Sequence, residues 1–153
     1  MDIKTEKGKQ SLLYEDKMLN TIKEKYNIDI IETDKDSPAL CDGFMVQNGI
    51  ITGVFESKCR NATVQTFEKW GSWLITYEKL DGLAWMSNKL CISAFGFVYC
   101  IQDDAILMWR ITDREGNYIV ELDLKKSKTQ ATINGGQAER VNAYLPFGHA
   151  KIL

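Results

Sequence analysis

Asp42, Glu56 and Lys58 are the residues whose types and spacing could do chemistry together. Glu56 and Lys58 are two apart, so in a strand they share a face. Two short apolar runs, 39–47 and 50–58, flank Asn48-Gly49. An Asn-Gly loop between such runs predicts a tight hairpin, because both loop positions must accept positive φ. That hairpin would bring Asp42 on one strand close to Glu56 on the next. Neighbouring carboxylates offer hard oxygen ligands to Mg²⁺ or Mn²⁺. A lysine beside such an ion can orient or activate water, or offset charge developing on a phosphate. The same alternation places Val54 and Thr52 with Glu56 and Lys58, and Ile51, Gly53 and Phe55 on the opposite face.

Other chemistries find little support. The chain has one histidine, His149, and neither a Walker-type nor a GxGxxG glycine pattern. Histidine-based zinc sites and Ser-His-Asp triads are therefore disfavoured. Cys41, Cys59, Cys91 and Cys100 lack CxxC spacing and stand in apolar, strand-like contexts. They read as reduced core or near-core thiols, which predicts a cytoplasmic protein. The first ten residues are charged throughout rather than signal-like, and no apolar run approaches a membrane span. The net charge is −2, unevenly distributed: residues 125–153 hold Lys125, Lys126, Lys128, Arg140 and Lys151 against Glu139 alone. That segment is +4, so residues 1–124 carry −6. With the backbone N–H groups around Asn134-Gly135-Gly136, such a tail suits phosphate contacts. An ordinary solvated tail with a helix over 136–144 is the alternative.

The elements that must position these residues follow from periodicity. Residues 8–27 read as a first helix, with Leu12, Leu19, Ile22 and Tyr26 in one apolar stripe. Glu15 lies in that stripe, where a carboxylate needs a reason to be. It could pair with Lys9, Lys17 or Lys23. A short strand is expected at 27–33 and a second helix at 62–80, capped by Asn61, with Phe67, Trp70, Trp73 or Leu74, Tyr77 and Leu80 as its core face. Long strands are expected at 89–101 and 105–112 around a turn at 102–104, and another strand at 118–124. The order suits an α/β (α+β) fold: one domain over 1–153, with a mixed central sheet flanked by helices.

The arrangement of Asp42 followed by Glu56-x-Lys58 at the end of the next strand resembles the PD-(D/E)xK nuclease superfamily. The resemblance covers about residues 8–112, with Cys41 where the family name has proline. It implies a restriction-endonuclease-like fold and Mg²⁺- or Mn²⁺-dependent cleavage of DNA, as an endonuclease leaving a 5′-phosphate and a 3′-hydroxyl. Asp42 and Glu56 would bind metal, with the Ser57 backbone carbonyl a further ligand, and Lys58 would act on water. Glu15 matches the glutamate that the first helix of such proteins often carries toward the metal. Gln65 loosely matches a glutamine on the helix after the motif. Lys125, Lys126, Lys128 and Arg140 would meet the DNA backbone. The size resembles small phage or mobile-element nucleases, and the cysteine spacing does not match the iron–sulphur members. Two other readings stay open: a non-catalytic nucleic-acid- or protein-binding module that keeps the fold, and a junction resolvase, which requires a homodimer.

Overall fold

The computed structural model describes residues 3–128, 136 and 138–153. It is an α+β fold built on a mixed six-stranded sheet with three α-helices. Helix α1 (Glu6–Tyr26) begins where the Thr5 side chain accepts from the Gly8 N–H at 3.0 Å and ends at Asn27, which takes a left-handed conformation. Its stripe is close to the one expected. Met18, Leu19 and Ile22 are buried, and Leu12 and Tyr26 are half-buried. Burying Met18, Leu19 and Ile22 contributes roughly 1.5–3 kcal/mol each, enough to fix the helix on the sheet.

Strands β1 (Asp29–Glu32), β2 (Gly43–Gln47) and β3 (Ile50–Arg60) follow. The β2–β3 turn has both Asn48 (φ 53°) and Gly49 (φ 75°) left-handed, as the Asn-Gly pair requires. One expectation fails here. The register shifts between Met45 and Val46, a β-bulge in the hairpin. Thr52 consequently borders an apolar hollow with Met45 and Phe97, on the face opposite Val54. Beyond the bulge the alternation is as expected.

The helix expected over 62–80 is instead three elements: α2 (Val64–Trp70), β4 (Ser72–Thr76) and α3 (Tyr77–Leu90). Thr63, not Asn61, caps α2, and Gly71 at φ 78° ends it. In the following SWLIT segment only Trp73 and Ile75 are buried, a period of two rather than 3.6. Trp70, expected in the core, is 63% exposed. Strands β5 (Ser93–Cys100) and β6 (Ala105–Arg110) form the expected pair, though α3 occupies the first residues assigned to it. No strand covers 119–122 of the one expected over 118–124. Thr112 and Tyr118 form an isolated bridge, and β7 (Asp123–Lys128) starts later. Of the possible tail helix over 136–144, residues 139–144 belong instead to β8 (Glu139–Pro146), followed by a 3₁₀ turn (Phe147–His149) and β9 (Lys151–Ile152).

The main sheet has the order β1-β2-β3-β5-β6-β9, with β3 and β5 parallel and the other pairs antiparallel. A second sheet has the order β4-β8-β7. One core lies between α1 and the main sheet, around Met18, Ile22, Phe55 and Phe97. The other fills the opposite face beneath α3 and the smaller sheet, around Trp73, Leu80, Trp109 and Leu145. Cys41 and Cys100 are buried and Cys59 is half-buried; burial pushes all three thiols up to about 11. Cys91 departs from expectation: it is exposed, at the left-handed end of α3. Among the described residues, no helix is long and apolar enough to cross a membrane.

Candidate active site

Asp42 is placed by the start of β2. Its N–H donates to the Phe55 carbonyl at 2.9 Å and its carbonyl accepts from the Thr33 N–H at 3.0 Å. The next residue must be glycine. A Cβ on Gly43 would lie 2.6 Å from the Ile31 carbonyl oxygen and 2.8 Å from the Phe55 ring. Before Asp42 the chain lies outside β2, so the Ser57 N–H has no carbonyl opposite it. The Asp42 carboxylate takes that place: Oδ2 accepts from the Ser57 N–H at 2.8 Å and from its hydroxyl at 3.3 Å. The Ser57 carbonyl leaves the strand on the same edge as its N–H. A carboxylate and a backbone carbonyl thus stand together where β2 has departed.

Glu56 is the neighbour across the hairpin, and its setting is unusual. Its side chain is 0% exposed, on the α3 face of the sheet beside Val54. Neither carboxylate oxygen accepts a hydrogen bond. Two ammonium groups approach at ion-pair distance without hydrogen-bonding geometry: Lys58 Nζ lies 3.1 Å from Oε1 and Lys79 Nζ 3.6 Å from Oε2. Burial, and then the charge of Asp42, push the Glu56 carboxyl above its ordinary range, while Lys58 and Lys79 pull it down. A buried carboxylate without hydrogen bonds is costly. The two lysines offset part of that cost, and both keep one side toward solvent.

The remaining residues divide between two clefts. The smaller, about 390 Å³, lies between the first half of α1 and the end of β3. Glu15, Lys35, Asp42, Ser57, Lys58 and Arg60 border it. Glu15 does reach the site, but its partner is Lys35, at 2.5 Å, and none of the three lysines weighed from the sequence. The larger cleft, about 740 Å³, is bordered by Leu40, Tyr77, Lys79 and Arg140. Gln65 is exposed on α2 and borders neither cleft. Lys125, Lys126 and Lys128 are exposed along β7, where Lys125 pairs with Asp123 at 3.3 Å and lies 5.1 Å over the Tyr144 ring. Asn134 and Gly135 lie outside the described residues.

Lys35 and Lys79 are the charged groups that sequence reasoning missed. Lys35 belongs to a polar turn whose order comes from the Asp34 carboxylate, which accepts from the Asp36 N–H and the Ser37 hydroxyl. Nothing in its spacing marks it. Lys79 falls between Tyr77 and Leu80, and its aim toward Glu56 depends on where Gly71 breaks the helix.

Asp42, the oxygens of Glu56 that lack hydrogen bonds, and the Ser57 carbonyl suit a hard divalent cation whose remaining positions are water or phosphate oxygen. The fit is partial. Among the described residues, no group of three or more His, Cys, Asp or Glu side chains converges as a cage. Mg²⁺ commonly binds through one or two carboxylates, so the pair suffices for that ion in a way it would not for Zn²⁺. No protein-family profile, curated protein or solved structure matches the chain.

Proposed function

We propose that the chain is a Mg²⁺-dependent nuclease of restriction-endonuclease-like organisation that hydrolyses phosphodiester bonds in DNA. The observation that carries this reading is Glu56: fully buried, without a hydrogen bond on either oxygen, next to Asp42 and between two lysines. Such a carboxylate costs stability that its two ion pairs offset only in part. Asp42 and Glu56, with the Ser57 carbonyl, are the ligands available to the cation. When bound, the cation supplies Lewis-acid polarisation of a phosphoryl oxygen and a lowered pKa for a coordinated water. Lys58, half-buried at the rim of the smaller cleft, orients the attacking water and offsets charge on the reacting phosphate. Glu15 borders the same cleft and would reach the ion through water. Lys125, Lys126, Lys128 and Arg140 contact the DNA backbone away from the reacting bond.

The test is cleavage of end-labelled duplex, single-stranded, flap and junction DNA. Mg²⁺ and Mn²⁺ should support it, Ca²⁺ should bind without supporting it, and EDTA should abolish it. Cleavage that survives EDTA, or none on any substrate with Mn²⁺, would sink the proposal. A second reading, a binding module without catalysis, draws on Trp70 and Trp85, which are 63% and 57% exposed. Exposed tryptophans suit a protein partner, and this reading expects DNA to remain intact under every metal condition.

A further inference from the structure

Lys79 has a place in the site that its position in the sequence does not announce. It comes from α3, an element separate from the β2–β3 hairpin, and its Nζ lies 3.6 Å from Glu56 Oε2 and 3.5 Å from the Ala39 carbonyl oxygen. On its other side is the 740 Å³ cleft. Lys58 differs in being tied to Glu56 through the backbone of one strand, two residues along. The lysines differ in tether, not in charge. Lys58 and Lys79 already set two positive charges beside Glu56, and Arg60 adds another at the smaller cleft. A divalent cation adds two more, in surroundings where Glu56 is wholly withdrawn from water. Glu56 also cannot offer Oε2 while an ammonium covers it.

We infer that Lys79 is a displaceable counter-ion: it holds Glu56 in the metal-free protein, and a divalent cation expels it from Oε2 into the larger cleft. Lys79 is therefore a positioning residue, keeping the ligand carboxylate aligned until the ion takes over. Its departure also releases the Ala39 carbonyl, which couples metal binding to the segment leading into Asp42. This inference rests on the nuclease reading for the identity of the ion.

Direct Mn²⁺ binding tests it, followed by loss of the free-ion paramagnetic resonance signal in wild type, Lys79→Gln and Lys79→Arg. Removing a competing cation should tighten Mn²⁺ binding in Lys79→Gln by about tenfold or more, the scale on which groups next to metal ligands act. Lys79→Arg keeps the charge and should bind as wild type or more weakly. A purely structural lysine would lower the melting temperature of Lys79→Gln and leave its Mn²⁺ affinity unchanged or reduced, and that result overturns the inference. If Lys79→Gln fails to fold, the wild-type protein still decides. With its lysines ¹³C-methylated, and the Lys79 signal assigned through Lys79→Arg, Mg²⁺ titration should shift that signal to a solvent-like position. An unmoved signal at saturating Mg²⁺ overturns the inference. Wild type that binds no Mn²⁺ at all overturns the nuclease reading beneath it, a separate outcome.

Discussion

Replacing Glu56 by glutamine tests whether its charge is tolerated for chemistry or needed for the fold. Both oxygens are sealed from solvent without a hydrogen bond, and an unmet buried polar group costs about 1–3 kcal/mol. The opposing attraction comes from Lys58 and Lys79, each 40% exposed and therefore partly screened. Glutamine keeps the shape, removes the charge and leaves both lysines able to turn toward water. Glu56→Gln should therefore be more stable than wild type at neutral pH, by about 1–2 kcal/mol, raising Tm by roughly 2–8 °C. The pH dependence has a definite sign. Burial, then Asp42, raises the Glu56 carboxyl in the folded protein, so the protonated form favours folding. That contribution is fully present below the unfolded-state pKa and is lost as pH rises through the folded-state value. The advantage of the variant should accordingly grow from acid toward neutral pH. Urea melts across that range, without metal, read both quantities. A variant about 1 kcal/mol less stable than wild type at neutral pH, or a gain independent of pH, would refute the reasoning and make Glu56 a structural ion-pair partner.

The other predictions concern residues around it. Lys58→Ala should lower turnover by roughly two to four orders of magnitude, and should also lower the melt, because it removes the nearer counter-charge of buried Glu56; wild-type rates would make the Glu56-x-Lys58 pair incidental. Glu15→Gln breaks the pair with Lys35, in which both side chains are mostly buried, and should cost about 1 kcal/mol by urea melt. That sign is opposite to what an unpaired carboxylate on the inward stripe would give, and a more stable variant would show that Lys35 contributes nothing. For β7, a Lys125/Lys126/Lys128 triple alanine variant should lower the salt slope of DNA binding by about three units and leave cleavage at saturating substrate intact. An unchanged slope would return those lysines to plain solvation.

How much of this was legible in the sequence varies with the distance over which each feature is decided. The Asn48-Gly49 turn and the α1 stripe are local, and both match expectation. Asp42 also meets the β3 edge as expected, but the loop alone would set it opposite Phe55, and the bulge between Met45 and Val46 is what brings it opposite Glu56. The bulge at Met45 was not legible, since it depends on how the hairpin meets β1 and β5. The helix expected over 62–80 failed because Phe67, Trp70, Leu74 and Tyr77 mimic a helical stripe. The period-two burial of Trp73 and Ile75 appears only once β8, about seventy residues later, supplies a partner strand. Lys79 was lost with that same error. Gln65 was chosen on its offset from Lys58 alone, and α2 turns it toward solvent.

The seating of β8 bears on how the chain is made as well as on its finished shape. β8 lies between β4 and β7, and α3 packs against it. The Phe147 N–H, just after β8, donates to the Gly71 carbonyl at 2.9 Å. During synthesis the β2–β3 hairpin and α1 emerge early and can associate on their own. The helix that carries Lys79 rests on β3 and β5 as well as on β8, so its support is complete only once residue 146 has left the ribosome. The charged residues around Glu56 are thus made early, and part of the support beneath α3 comes last. A translation product cut short before β8 would carry Asp42, Glu56, Lys58 and Lys79, with α3 resting on the main sheet but without its contact to β8.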